Sequence, residues 1–156
     1  MARRAASLLF LIAPLSCSPG NPLKRLDTWW VFEEPGFSMR LPPEVRGGPV
    51  RGVDSSVGVF ESSSLRLSYD YGMCRNFSDD VEIRREEWTV DGQAAEVRVS
   101  RFPSRTKEFG NSARIYFSEA GEAGANLTVF AWFASEEHLE TVREIFRSIL
   151  FSPRRR

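Results

Sequence analysis

The sequence predicts an α+β domain in which an antiparallel sheet of about six to seven strands carries a C-terminal helix on one face. Three observations predict this class. Short runs of alternating apolar and polar residues recur from Thr28 to Ala134, as expected for half-buried strands. The dipeptide Asp91-Gly92 interrupts two of these runs, and the apolar spacing becomes helical only after Ser135.

The first two strands are predicted at the start of the domain. "TWWVFEE" (28–34) is rich in aromatic and β-branched residues, which favour strands. Pro35-Gly36 marks a turn, and "FSMRL" (37–41) then alternates Phe, Met and Leu against Ser and Arg. These two segments therefore read as strands joined by a turn.

A loop and a hairpin are predicted next. "RGGPVRGVDSS" (46–56) contains three glycines and a proline, a composition typical of loops. "VGVFE" (57–61) and "LRLSYDY" (65–71) are strand-like and are separated by three serines, which predicts a hairpin. "GMCRNFSDD" (72–80) shows no periodicity and is predicted to be irregular.

Two further hairpins complete the predicted sheet. Asp91-Gly92 favours a type I′ turn, because both central residues need a positive φ angle. "SARIYF" (112–117) and "NLTVFAWFA" (126–134) are predicted strands, and "SEAGEAGA" (118–125) is predicted to be the flexible loop between them.

The helix is predicted from "SEEHLETVREIFRSILF" (135–151). Apolar residues recur there at the spacing of one helix face: Leu139, Val142, Ile145, Phe146 and Ile149. Ser135 is the predicted N-cap, because its hydroxyl suits a free helix N-terminus. The final "SILF" is predicted to be either a last strand or the docking end of the helix.

The N-terminal segment predicts export. Arg3 and Arg4 precede an apolar run from Ala5 to Ala13, which is far shorter than the roughly 20 residues of a membrane-spanning helix. This anatomy is typical of a secretory signal. We therefore divide the chain into a predicted lipoprotein signal peptide (1–17), a flexible tether (18–27), a single α+β domain (28–151) and a basic tail (152–156).

Two processing pathways fit the segment. In one, "APLSC" resembles a bacterial lipobox, so that Cys17 becomes a lipidated N-terminus; Pro14 stands where Leu is common. In the other, a signal peptidase cuts after a small residue of "SPG" and releases an unlipidated protein. Either pathway leaves Cys74 as a lone thiol, and the predicted location is the bacterial cell envelope, membrane-anchored or periplasmic.

Charge and chemistry exclude several function classes. The 21 basic residues balance 21 acidic ones, which gives no electrostatic drive toward nucleic acid. His138 is the sole histidine, and no nucleophile motif, cofactor fingerprint or zinc spacing accompanies it. Glu86 and Glu87 are adjacent on a strand and must face opposite sides, while Asp79 and Asp80 lack the spacing of a calcium loop. We therefore expect no catalytic, metal or cofactor site.

The tryptophans pose the main functional question. Trp29 and Trp30 are consecutive and so face opposite sides of a strand, and Trp132 lies on a second strand with Phe130 on the same side. These aromatic residues are either covered by loops or form a ligand-binding face of the sheet. We take Trp29, Trp30 and Trp132 as the candidate ligand face.

A family resemblance follows from three segments. "GFSMRLPPEV", "VDGQAAEVRV" and "HLETVREIFRSILF" resemble small exported bacterial domains of the DcrB/PsbP/Mog1 type over most of residues 28 to 151. The resemblance implies an antiparallel sheet packed against helices and a non-catalytic assembly or binding role.

Three functions are therefore considered. We expect a lipid-anchored envelope module that binds an unknown envelope protein or small ligand, with no enzymatic activity. A soluble periplasmic ligand binder that uses an aromatic sheet face is the alternative. A hydrolase that uses His138 ranks third.

Overall fold

The computed structural model describes residues 28–50, 52, 54–72, 81–101, 109–120 and 124–151. The predicted signal, the tether and the basic tail lie outside the described residues, as do Cys17 and Cys74. The irregular segment that contains Asp79 and Asp80 also lies outside them, apart from Gly72.

The described residues form ten strands and one helix, and every strand but the last precedes the helix. The elements are β1 (Trp30–Glu34), β2 (Phe37–Leu41), β3 (Arg46–Val50), β4 (Ser55–Glu61), β5 (Leu65–Gly72), β6 (Val81–Val90), β7 (Gln93–Arg101), β8 (Asn111–Ala120), β9 (Ala125–Phe133), α1 (Glu137–Arg147) and β10 (Leu150–Phe151). Within these ranges no helix has the length and apolar character that crossing a membrane requires.

The strands form two antiparallel sheets. The large sheet has seven strands in the order β3-β4-β5-β9-β8-β7-β6, and the small sheet has three in the order β1-β2-β10. The α+β class, the antiparallel pairing and the C-terminal helix are thus confirmed. A single sheet was predicted, and the separate small sheet was not. Strands β1 and β2 pair with each other, and β2 pairs with β10, so these strands are not part of the large sheet.

The small sheet and α1 cover the same face of the large sheet, which we call the inner face. Phe32 of β1 lies 4.9 Å from the Phe60 ring and 5.4 Å from the Tyr69 ring, both on the inner face. Apolar residues of α1 are fully buried at the same layer: Val142, Ile145 and Phe146. Burial of such side chains is worth about 1.5–3 kcal/mol each, so this layer is the core.

The opposite side of the large sheet is called the outer face. Its residues follow from the register, because residues directly opposite on neighbouring strands share a face. Leu67 and Ala131 are partners on the inner face, so their neighbours Arg66 and Trp132, also partners, lie on the outer face. No described element packs against the outer face, although its short polar side chains Ser100, Ser112 and Thr128 are buried.

The helix begins one residue later than predicted. Its N-cap is Glu136, whose side chain makes no capping hydrogen bond. The predicted cap, Ser135, instead has its hydroxyl 2.9 Å from Nδ1 of His138. The predicted apolar face is correct: four of its residues are fully buried and Leu139 is partly buried.

The Asp91-Gly92 turn is confirmed. Both residues have positive φ angles, 49° and 74°, as a type I′ turn requires. The two-residue turn sets the register of β6 on β7, in which Val90 lies opposite Gln93. The Asp91 carboxylate also accepts a hydrogen bond from the backbone N–H of Phe151 at 2.8 Å, which fixes β10 to the turn.

Two predicted loops contain strand residues. Arg46–Val50 is strand β3 rather than loop, and Ser55 and Ser56 open β4. Gly47 and Pro49 fit a strand there because β3 is at the sheet edge, where a proline loses no ladder hydrogen bond. In the segment predicted as a flexible loop, β8 continues to Ala120, which pairs with Ala125 beyond an irregularity after Phe117.

Candidate binding face

Three arginines lie side by side across the outer face. The register places Arg85 of β6 opposite Arg98 of β7, and Arg98 opposite Arg114 of β8. Like charges directly opposite each other destabilise a sheet unless other groups neutralise them. This arginine row therefore needs carboxylates beside it.

Two carboxylates supply that neutralisation. Glu82 bonds to Arg85 at 3.1 Å and to Arg98 at 3.2 Å, and Glu96 bonds to Arg98 and lies 3.8 Å from Arg85. The hydrogen bond from Arg85 lowers the pKa of Glu82, and the one from Arg98 lowers the pKa of Glu96, with Arg85 and Arg114 adding to the effect on Glu96. Both carboxyl groups are thus held in their charged form.

A groove of about 640 Å³ opens beside the arginine row. Its walls combine the apolar residues Trp88, Ala94 and Ala95 with side chains of both charges and several hydroxyl groups: Glu87, Thr89, Glu96, Arg98, Arg114, Tyr116 and Ser118. Pockets that hold small ligands have volumes of roughly 300–1,000 Å³, so the groove is large enough for one. A groove of this composition offers both hydrogen bonds and apolar contact to a partner.

An aromatic strip lies next to the groove. Phe130 and Trp132 are successive outward residues of β9, and their rings stack at 5.8 Å with an interplanar angle of 15°. The Arg114 guanidinium lies 5.9 Å from the centre of the Phe130 ring, so the arginine row and the strip meet at Phe130. Both aromatic side chains are half-buried.

The three predicted ligand-face tryptophans do not come together. Trp132 lies on the outer face, whereas Trp30 packs on the other side of the large sheet, with its ring 6.1 Å from the Phe60 ring. The Trp30 indole N–H donates to the carbonyl oxygen of Val45 at 3.2 Å, and Trp29 is buried. Of these residues, Trp132 alone contributes to the outer face.

Trp30 borders a separate hollow at the edge of the domain. The hollow measures about 380 Å³ and is lined by Thr28, Trp30, Pro43, Arg46 and Gly47. It lies at β3 and the preceding turn, so it is not continuous with the groove beside the arginine row, which is formed by β6, β7 and β8.

The remaining predicted chemistry residues have local roles. His138 is paired with Ser135 in the first turn of α1. Glu86 lies on the inner face, where it accepts hydrogen bonds from Arg143 of α1 and from Trp88, and Glu87 lies on the outer face, as strand alternation predicts. Among the described residues, no group of three or more His, Cys, Asp or Glu side chains could hold a metal ion.

The fold and this face define the class: a small α+β domain whose large sheet leaves one charged and aromatic face outside its core. Among solved structures, the chain is similar to the solution structure of cyanobacterial PsbP (CyanoP) from Synechocystis sp. PCC 6803, with a TM-score of 0.55 and 16% sequence identity. The match covers 90% of this chain and 100% of that chain, which confirms the predicted PsbP-like fold. No protein-family model and no curated protein matches the sequence.

Proposed function

We propose that this protein is a non-catalytic binding or assembly module of the bacterial cell envelope, held at a membrane by a lipid on Cys17, and that it binds its partner through the outer face. The observation that supports binding is the outer face itself. It combines the arginine row with the strip of Phe130 and Trp132, and no described element covers it.

The chemistry of this face favours an envelope protein as the partner. Arginine and aromatic side chains are enriched at protein interfaces, where a planar cation and an apolar ring each contribute area and specificity. Glu82 and Glu96 hold Arg85 and Arg98 in place, so a partner meets groups that are already oriented. The expected partner presents carboxylates opposite the arginine row and an apolar side chain opposite Trp132.

The groove supports a second candidate function, binding of a small polar ligand. Its volume of about 640 Å³ and its hydroxyl, carboxylate and guanidinium groups are suited to a small molecule with several hydrogen-bonding groups. In this case the protein would be a soluble periplasmic binder, and Cys17 would be removed with the signal.

The anchor is tested by intact mass. The chain is expressed in a bacterial host as wild type and as Cys17→Ala. The intact mass of the protein in the membrane and soluble fractions is then measured by mass spectrometry. We expect a diacylglycerol adduct on wild type that Cys17→Ala lacks. An unlipidated wild type released without Cys17 would overturn the anchor and favour the soluble ligand binder.

The face is tested by photo-crosslinking in living cells. A photo-reactive phenylalanine replaces Trp132 on the outer face or, as a matched control, Val31, which is 50% exposed on the far side of the small sheet. We expect discrete protein adducts from position 132 and none from position 31. The same adducts from both positions, or adducts from neither, would count against partner binding by this face.

A further inference from the structure

Strand β6 is a long free edge of the large sheet. It runs for ten residues as the last strand in the sheet order, and the structure describes no strand on its other side. Two of its apolar side chains, Val81 and Ile83, are 59% and 55% exposed. A free edge presents unpaired backbone donors and acceptors, which can pair with another strand.

Glu87 is an exposed carboxylate of β6 that faces a like charge on the neighbouring strand. The register places it directly opposite Glu96, a like-charge pair that destabilises the β6–β7 hairpin. Glu96 has arginine partners, whereas the described residues offer Glu87 no ion pair. A cation supplied from beyond the β6 edge would offset the repulsion between Glu87 and Glu96.

We propose that two copies of this chain associate by antiparallel pairing of β6 with β6 about a two-fold axis at Glu86. This register places Arg85 of each copy opposite Glu87 of the other, and both side chains are on the outer face. Each dimer therefore places Glu87 of the second copy beside each Arg85, in addition to Glu82 of its own copy. The inference does not depend on the proposed function.

The same register suits the inner-face residues. Glu86 meets Glu86 of the second copy at the axis, and each is already neutralised by Arg143 of its own copy. Arg84 lies opposite Trp88 of the second copy, a ring that Arg143 and Arg147 of its own copy already contact at 5.9 and 4.9 Å from its centre. The β-bulge between Glu82 and Arg84 limits regular pairing to Arg84–Trp88.

Disulfide trapping tests the register. The full chain carries Cys17→Ser and Cys74→Ser, and one further cysteine replaces Glu86 or Thr89. Opposite residues of paired strands lie at Cα distances that a disulfide spans, so mild oxidation should join two Glu86→Cys chains. Thr89→Cys is the matched control on the same strand, because in this register it is about 20 Å from its own copy.

We expect a covalent dimer for Glu86→Cys, formed in most of the protein, and little for Thr89→Cys. Equal trapping at both positions, or none at position 86, would overturn the proposal. A dimer trapped from position 89 alone would show pairing in another register and would overturn it as well.

Sedimentation equilibrium of the chain with Cys17→Ser tests the charge argument. We expect Glu87→Gln to raise the dimer dissociation constant about tenfold, because each dimer loses two ion pairs. It should leave the thermal midpoint unchanged or higher, because the like-charge pair with Glu96 is removed. Glu44→Gln, which removes an exposed carboxylate of the turn between β2 and β3, is the control and should change neither.

A wild type that stays monomeric at every concentration, or a Glu87→Gln variant that associates as strongly as wild type, would contradict the proposal. In the first case the charges of β6 act only to keep edges of separate molecules apart.

Discussion

Tyr69 forms a polar cluster with Glu34 and Ser56 between the two sheets. Its hydroxyl donates to Oε2 of Glu34 at 3.1 Å, and the Ser56 hydroxyl donates to Oε1 at 2.6 Å. Burial, opposed by the Ser56 hydrogen bond and assisted by Glu34, raises the pKa of Tyr69 to about 12. The folded protein therefore favours the neutral phenol, which keeps its proton and continues to donate a hydrogen bond to Glu34.

This shift predicts a loss of stability at alkaline pH. Because the folded pKa lies above the ordinary value of 10.0, the stabilisation is complete below pH 10 and is lost as the pH rises toward about 12. Two pKa units set an upper bound of about 3 kcal/mol on this loss, of which about 2 kcal/mol falls below pH 11.5. Urea unfolding measured from pH 8 to 11.5 should show this loss in wild type and in the control Tyr116→Phe.

The variant Tyr69→Phe should lack the alkaline loss, and at pH 8 it should be about 1–2 kcal/mol less stable than wild type, since Glu34 loses a donor. An unchanged alkaline slope in Tyr69→Phe would assign the loss to another group.

Strand β3 shows how an edge accommodates residues that usually mark loops. Gly47 has a φ angle of 147°, and a Cβ atom at this position would collide with the carbonyl oxygen of Val59 on β4. At Gly48, its neighbour, a Cβ atom would point into open space, with no other heavy atom within 4 Å. The glycine at 47 is thus required by the β3–β4 pairing, whereas the glycine at 48 is not.

Alanine substitution distinguishes the structural roles of Gly47 and Gly48. Gly47→Ala should lower the free energy of unfolding by about 2 kcal/mol or more, because backbone strain and a backbone clash coincide. Gly48→Ala should be neutral or slightly stabilising, since alanine loses less chain entropy on folding. Chemical denaturation of both variants measures the difference, and equal effects would refute a specific role for Gly47.

At the scale of the whole molecule, α1 joins the two sheets. The helix contacts β2 of the small sheet and both β8 and β9 of the large sheet. Phe146 is fully buried in this layer, and the Ser148 hydroxyl after the helix accepts a hydrogen bond from the backbone of Arg40 at 2.8 Å. The sheets therefore share one core and should unfold together.

Phe146→Ala tests this cooperativity. We expect it to lower the free energy of unfolding by about 3–5 kcal/mol, the usual cost of removing a buried phenylalanine ring. Tryptophan fluorescence and far-ultraviolet circular dichroism should still give coincident transitions, because neither sheet keeps a core of its own. The exposed substitution Glu140→Ala should change stability little, and separate transitions in Phe146→Ala would indicate two independent units.

Much of the residue pairing on the outer face could have been predicted from one turn. Once Asp91-Gly92 is assigned as a two-residue turn, counting back from it places Arg85 opposite Arg98 and Glu87 opposite Glu96. Arg114 could not be added, because no short turn sets the register of β8 on β7. The strip of Phe130 and Trp132 was visible in the alternation of β9, and only its position beside Arg114 required the structure.

The separation of Trp30 from Trp132 could not be derived either. Alternation assigns each residue to a side of its strand, but it does not say which sheet the strand joins. The pairing of β2 with the two-residue strand β10 decides this, and so short a strand has no sequence signal of its own. The glycines and proline of β3 led to the wrong prediction of a loop for a related reason. These residue types are common in loops, but they also occur in edge strands, and the sequence does not show which strand lies at an edge.

The small sheet has a consequence for when the domain can fold. Its strands come from the two ends of the described chain, and the Arg40–Ser148 hydrogen bond spans 108 positions. Contacts between distant positions form slowly, because the intervening chain must lose its freedom before they are gained. When synthesis has reached the end of β9, the core is therefore unfinished, because α1 and β10 are missing and their part of the inner face is uncovered. The native state becomes accessible only after the last strand has been synthesised.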